Sequence, residues 1–295
     1  MDLCVDKTPI RKVLSGLTSI DGVKAVSLAG SLATGTDDEY SDIDMQCYVS
    51  ADIPGIEERK RAYESIEAGS AGLLDNPVGA EFEDPPHNNS AVVDWLRVTD
   101  VKCDVLWIRT DELKRVIDRL PGDLEQRETA AKLLHPCRSL WDPQDVLAKM
   151  VRNLPEYSVD RALKKAGGLL GRTRWFLCEW GVLAKCARRE DVVAYQKAES
   201  QMVETLVSAL YALNRNWYPG VRKLRHYCQD LEVLPDAFVQ RLESMILRQD
   251  DCSNLANCEA EMRSLFRDLA KVAVQRYPQW RPPRDWAIWQ GQQPF

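Results

Sequence analysis

The stretch LAGSLATGTDDEYSDIDMQCYV, residues 28–49, decides the fold of the N-terminal region. The preceding letters VKAVSLAG predict a buried strand that closes on a glycine, and the pair Gly30 and Ser31 then predicts a turn. The segment DIDMQCYV alternates apolar and polar residues, which predicts a second strand. Because successive side chains of a strand point to opposite faces, we expect Asp42 and Asp44 to point the same way.

The two aspartates indicate a divalent-metal site. Side chains two residues apart on a strand have Cα atoms about 6 to 7 Å apart. Two unpaired aspartates in an apolar strand would repel each other and lose hydration, so they need a counter-charge. Mg²⁺ supplies one, because it binds through one or two carboxylates plus substrate phosphates, and two ions clamp the oxygens of a phosphoryl displacement. We therefore expect Asp42 and Asp44 to hold Mg²⁺, as two ions.

The turn and loop around this strand contain candidate phosphate ligands. Gly30 permits close approach of the backbone, and Ser31 offers a hydroxyl and an N–H group at a predicted helix start. Ser41, at the end of the loop TGTDDEYS, can hydrogen-bond a neighbouring phosphate or the backbone. We expect these three residues to bind nucleotide phosphates.

A third carboxylate is predicted from a later pair of strands. The segments AVVDWLRV and VKCDVLWI flank Thr99 and Asp100, which predicts two strands joined by a tight turn that lacks glycine, so its type stays open. Asp104 lies in the second of these strands. If that strand lies beside the first aspartate strand, Asp104 faces the same cleft. Asp94, in the other strand of the pair, is the competing third carboxylate.

The organisation of the chain changes from mixed to helical. Helix and strand patterns alternate in the N-terminal half, which also contains the turn-rich loop VGAEFEDPPHNN, residues 78–89. Beyond about Trp141 the apolar residues recur at helical spacing, as in ESQMVETLVSALYALN. Further helical segments are predicted at residues 161–187, 235–248 and 256–276. The sequence therefore predicts a mainly helical second domain.

Composition excludes several classes of protein. The formal net charge of −6 lacks the basic excess expected of a protein that binds a nucleic-acid backbone. Nine cysteines without a CxxC pair, and an N-terminal region without an apolar leader, favour a reduced, cytoplasmic protein. No stretch is long and apolar enough to predict a membrane span.

These motifs together resemble a known family. An apolar-Gly-Ser pattern, ten intervening residues, Asp-apolar-Asp and a later apolar-Asp-apolar strand resemble the DNA polymerase β-like nucleotidyltransferase superfamily. GSLATGTDDEYSDIDM, with YALNRNWYPGVRKL further on, resembles the aminoglycoside and lincosamide nucleotidyltransferases and a related uncharacterised bacterial branch. The resemblance implies an α+β fold: a nucleotidyltransferase domain with a short mixed sheet at residues 1–143, then an α-helical bundle domain at residues 144–295 that completes the cleft.

The resemblance also implies roles for individual residues. Asp42 and Asp44 hold the metal ions, the Gly-Ser pair grips the nucleotide phosphates, and Asp104 completes the metal site. In the antibiotic-modifying relatives the third acidic position is often the catalytic base, so Asp104 and Asp94 both stay candidates for that role. Lys223, in YPGVRKL, matches a position expected to reach the triphosphate from the helical domain.

The function implied is Mg²⁺-dependent transfer of NMP to a hydroxyl group of a small molecule such as an antibiotic, with release of pyrophosphate. ATP, giving AMP, is the expected donor, although another NTP stays open. Two alternatives remain: a catalytically silent nucleotide-binding regulator, and nucleotidylation of a protein target. Some relatives form dimers, so a homodimer is compatible with the resemblance.

Overall fold

The chain forms two units, Met1–Pro155 and Glu156–Phe295. A computed structural model describes residues 7–50, 52–73, 91–119, 134, 137–154, 156–177, 181–247 and 255–280. The loop predicted at 78–89 lies outside these residues. The boundary predicted after residue 143 falls before the last helix of the first unit, and that helix packs onto the sheet of this unit.

A mixed sheet forms the centre of the first unit. Within the described residues it has six strands: β1 (Val23–Leu28), β2 (Ile43–Val49), β3 (Gly69–Leu73), β4 (Ala91–Val98), β5 (Val101–Arg109) and β6 (Arg138–Trp141). They lie in the order β3-β4-β5-β2-β1-β6. The central pair β2 and β5 is parallel, and the other neighbouring pairs are antiparallel. The predicted α+β class with a mixed sheet is therefore confirmed.

Helices cover both faces of this sheet. They are α1 (Lys7–Thr18), α2 (Gly30–Thr34), α3 (Ile56–Glu64), α4 (Thr110–Arg119) and α5 (Val146–Arg152). Side chains of α1 and α3 pack with Ile43, Met45 and Cys47 of β2 in one core. On the opposite face, α4 and α5 pack with Tyr48 of β2 and Ile108 of β5.

The face of β2 that carries the aspartates is accessible only at its start. Gln46 and Tyr48 follow on the same face but are buried. Hydrogen bonds engage their oxygen atoms: the Tyr48 hydroxyl donates to Gln46 Oε1 at 2.7 Å and Ser27 Oγ donates to the same oxygen at 3.3 Å. The accessible carboxylates therefore lie at the N-terminal end of β2.

The turn between β4 and β5 is of the mirror-image kind. Thr99 and Asp100 have φ values of 48° and 66°. Positive φ at both central residues defines a type I′ turn, whose twist matches that of antiparallel strands. The predicted strand pair is confirmed, and its turn type, left open by the sequence, is now defined.

The second unit is helical in its described part. Its helices are α6 (Val159–Leu177), α7 (Val182–Arg188), α8 (Val192–Leu213), α9 (Leu224–Tyr227), α10 (Phe238–Leu247) and α11 (Leu255–Arg276). The predicted stripe of α8, including Met202, Leu206 and Leu210, is buried in the core of this unit. None of the described helices combines the length and apolar character needed to cross a bilayer.

Candidate active site

The parallel register of β2 and β5 brings the predicted acidic residues together. Asp44 of β2 lies opposite Asp104 of β5, so the two side chains share a face of the sheet. Asp42 immediately precedes β2 and points to the same face. Each of the three residues offers a carboxylate oxygen, and these oxygens all lie within 4.8 Å of one another. Asp42, Asp44 and Asp104 are called the acidic triad below.

A lysine that sequence reasoning missed bridges two members of this triad. Lys102 Nζ lies 2.9 Å from Asp42 Oδ2 and 2.8 Å from Asp104 Oδ2. These hydrogen bonds, first to Asp104 and then to Asp42, raise the pKa of the Lys102 ammonium above its usual range. The signal was present in the sequence, since Lys102 precedes Asp104 by two residues and therefore shares its face of the strand.

The oxygen chemistry of the triad fits a hard divalent cation. Asp104 Oδ1 is buried and makes no hydrogen bond to any residue that the structure describes. A buried carboxylate oxygen without a partner loses hydration, and a bound cation would compensate it. All three side chains offer carboxylate oxygens, the ligands that Mg²⁺ takes from proteins. The residues present therefore fit Mg²⁺.

Gly30 lies so close to the acidic triad that a side chain at this position would clash with it. Its φ is 58°, in the left-handed region, and a Cβ atom placed there would stand 2.2 Å from Asp44 Oδ2. The preceding backbone is tied to the same aspartate, because the Ala29 N–H donates to the Asp44 carbonyl at 2.9 Å. Ser31 follows in the first turn of α2. The sequence-predicted Gly-Ser pair is thus adjacent to the triad.

A family model matches the segment that carries two of the three acidic residues. Residues 10–79 match the family model of the nucleotidyltransferase domain, and this segment contains the Gly-Ser turn, Asp42 and Asp44. The chain contains a nucleotidyltransferase domain. It is accordingly an enzyme of the class that transfers nucleotidyl groups, and the predicted resemblance to nucleotidyltransferases is confirmed at this level.

Solved structures give a distant likeness. The chain is similar to a nucleotidyltransferase-like protein from Exiguobacterium sibiricum 255-15, with 11% sequence identity and a TM-score of 0.40. The similarity covers 91% of this chain and 77% of that protein. No curated protein matches the sequence.

The competing carboxylate, Asp94, lies on the other face of the sheet. Trp95 is the residue of β4 that pairs with Asp104. Asp94 is its neighbour along the strand, so its side chain points away from the acidic triad. The candidacy of Asp94 as the third carboxylate is therefore wrong.

Buried partners hold Asp94 in place. The Arg59 guanidinium forms an ion pair with Asp94 Oδ1 in which both side chains are almost fully buried. The Tyr63 hydroxyl and Trp107 Nε1 donate to Asp94 Oδ2 at 2.6 and 2.7 Å. Both oxygens of Asp94 are therefore engaged in a structural network.

Ser41 and Lys223 are two further residues predicted to bind phosphate. Ser41 Oγ donates to Asp38 Oδ1 at 2.8 Å and accepts from the Asp38 N–H at 3.0 Å, which closes the loop just before Asp42. Lys223 is exposed in the second unit, where it precedes α9 with a φ of 52°. The phosphate-binding roles of Ser41 and Lys223 stay predictions.

Proposed function

We propose that the chain is a Mg²⁺-dependent nucleotidyltransferase that transfers AMP from ATP to a hydroxyl group of a small molecule and releases pyrophosphate. The observation that carries this proposal is the acidic triad, whose three oxygens converge within 4.8 Å beside a glycine turn. The family match supports nucleotidyl transfer in general. The donor base, the metal and the acceptor class are the proposed part.

Each residue of the site has a proposed task. Asp42, Asp44 and Asp104 would hold the metal, which when bound neutralises charge on the phosphates and orients them. Gly30 and Ser31 would bind the phosphates, because glycine lets the backbone approach closely and serine adds a hydroxyl donor. Ser41 and Lys223 are proposed as further phosphate ligands on the motif resemblance alone.

The reaction requires a proton to leave the acceptor. A bond forms between the acceptor oxygen and the α-phosphorus while the bond from that phosphorus to the pyrophosphate oxygen breaks. The hydroxyl proton would pass to the Asp104 carboxylate. Asp104 is thus proposed both as a metal ligand and as the general base.

A small cationic molecule is the acceptor class that we favour. The net charge of −6 disfavours nucleic acid and suits a positively charged acceptor such as an aminoglycoside. A lincosamide-like or metabolic acceptor is consistent with the same site. We place the activity in the cytoplasm, as the cysteine usage indicates.

The test is incubation with Mg²⁺, each NTP in turn, and a panel of hydroxyl-bearing antibiotics and metabolites. Mass spectrometry reports the gain of an NMP group, and a coupled assay reports pyrophosphate. Asp42→Asn should lose both signals and keep the fold. Asp100→Asn is the matched control, because Asp100 lies in the β4–β5 turn with its side chain 98% exposed.

The outcomes separate the alternatives. Turnover of Asp42→Asn at the wild-type rate would overturn the proposal. ATP binding without pyrophosphate release across the panel would favour a silent nucleotide-binding regulator. Incorporation of labelled AMP into protein from a lysate would indicate a protein acceptor.

A further inference from the structure

The ammonium group of Lys102 lies where a metal ligated by the triad would compete with it. Its Nζ is 2.9 Å from Asp42 Oδ2 and 2.8 Å from Asp104 Oδ2, so it uses one oxygen from each of two proposed ligands. Two cations that share the same carboxylate oxygens repel each other over a few ångströms. Metal and ammonium therefore cannot both bind these oxygens without a large cost.

We propose that Lys102 is an exchangeable counter-cation of the metal site: its ammonium compensates part of the negative charge of the triad, at Asp42 and Asp104, and is displaced when the divalent ion binds. This inference rests on the proposed function, because it takes the triad as the metal site. Lys102 is here a positioning residue that sets how tightly the metal binds.

The contact of Lys102 with Asp42 and Asp104 follows from the geometry of the strands. Lys102 and Asp104 are two residues apart on β5, on one face, and Asp42 lies at the neighbouring end of β2. A lysine at this position reaches across both carboxylates without distorting the strand. Three converging carboxylates would otherwise repel one another, which a single positive charge relieves.

The side chain of Lys102 is also able to leave. Its exposed fraction is 55%, whereas the side chain of Asp104 is 23% exposed. A lysine carries its charge on a flexible four-carbon stem and is strongly hydrated, so it can turn into solvent without a movement of the strand. Water then solvates the ammonium, which keeps the exchange accessible.

Exchange has a consequence for the enzyme. The divalent ion must first remove a resident positive charge, so the triad alone binds it weakly. Nucleotide phosphates add ligands and negative charge, and the metal then binds together with its nucleotide. Lys102 thereby couples metal binding to the arrival of substrate.

The first test measures the affinity of the triad for Mn²⁺ without nucleotide, from the loss of the free-ion signal in electron paramagnetic resonance. Lys102→Met should bind Mn²⁺ at least about tenfold more tightly than wild type, since the competing charge is gone. Lys12→Met is the matched control, because Lys12 pairs with Glu67 at 3.4 Å outside the triad. Its affinity should equal that of wild type.

The second test uses the wild-type chain and needs no variant. Acylation of lysines, read residue by residue by mass spectrometry, should become faster at Lys102 when Mg²⁺ is added with ATP. Labelling of Lys12 should stay the same. Unchanged labelling of Lys102 would overturn the exchange.

Failure of the Lys102 proposal and failure of the proposed function give different results. Equal Mn²⁺ affinity of wild type and Lys102→Met would overturn the role of Lys102 and leave the metal-dependent function intact. If neither protein shows saturable Mn²⁺ binding that Asp42→Asn removes, even with ATP present, the metal site fails and both proposals fall.

Discussion

Asp44 on β2 and Asp104 on β5 face each other across the parallel pair at the centre of the sheet. Like charges directly opposite each other destabilise a sheet. The pair is therefore a cost to folding, which a bound cation or the Lys102 ammonium beside Asp104 offsets in part. Two adjacent carboxylates that lower stability are typical of a functional site, where the side chains serve the chemistry of the site rather than the stability of the fold.

Asp44→Asn should separate function from stability. Replacing the carboxylate by an amide of the same shape should lower nucleotidyl transfer at least about a hundredfold, because a group aimed at the reacting charges is lost. The free energy of unfolding should change by less than about 1 kcal/mol, since a like-charge contact is relieved. Pyrophosphate release and urea denaturation measure the two effects. A large loss of stability would assign Asp44 a structural role.

Asp94→Ala should lower stability and leave nucleotidyl transfer unchanged. It leaves the buried Arg59 guanidinium without its ion partner, which typically costs about 3 to 5 kcal/mol of folding free energy. Activity per folded molecule should be retained, because Asp94 faces away from the triad. Urea denaturation with assays at low temperature tests both points. The double variant Arg59→Met with Asp94→Leu should recover part of the stability, as an apolar pair needs no counter-charge.

The acidic residues also show which parts of the site can be predicted from the sequence alone. Alternation within one strand predicts that Asp42 and Asp44 share a face, and this required no knowledge of neighbouring strands. Choosing between Asp94 and Asp104 required the pairing of two strands, and a slip of one residue exchanges the faces. The hydrophobic pattern within each segment does not determine the register between the two paired strands. Lys102 and Asp104 are two residues apart on β5, so alternation places both on the same face. The position of Lys102 beside the triad could therefore have been predicted in the same way.

Gly30→Ala should damage the site through a contact as well as through its backbone. A left-handed φ costs a residue with a Cβ about 1 to 2 kcal/mol. The added Cβ would also stand 2.2 Å from Asp44 Oδ2 and displace the carboxylate. We therefore expect lower stability and loss of most nucleotidyl transfer.

Gly22→Ala is the control for this experiment. Gly22 also has a positive φ, 87°, but a Cβ there would meet nothing within 4 Å. It should show the backbone cost alone, with activity retained. Equal activity losses in the two variants would contradict a specific contact between Gly30 and Asp44.

Alkaline pH should destabilise the second unit through Cys228. Burial raises the pKa of this thiol from its ordinary value of 9.0 to about 11. Because the folded pKa is the higher one, its contribution is complete below about pH 9 and is lost as the pH rises toward 11. The loss reaches about 1 kcal/mol at pH 10. Cys228→Ala should therefore lose less stability between pH 7.5 and pH 10 than wild type.

Denaturation curves at the two pH values test the thiol against simple loss of packing. Val233→Ala removes volume from the same core without a titrating group, so its pH dependence should match wild type. An identical pH dependence in Cys228→Ala and wild type would show that the thiol does not contribute.

The β4–β5 turn offers a stabilising change outside the site. Thr99 and Asp100 both adopt positive φ, a conformation that the β-branched threonine tolerates poorly and that Asn-Gly adopts readily. Thr99→Asn with Asp100→Gly should raise the free energy of unfolding by about 1 kcal/mol and leave nucleotidyl transfer unchanged. The lost contact between Arg97 and Asp100 spans 3.9 Å on the surface and contributes little. Thr99→Val, which keeps the β-branch, should bring no gain, and a gain of equal size in that variant would show that the stabilisation does not come from turn geometry.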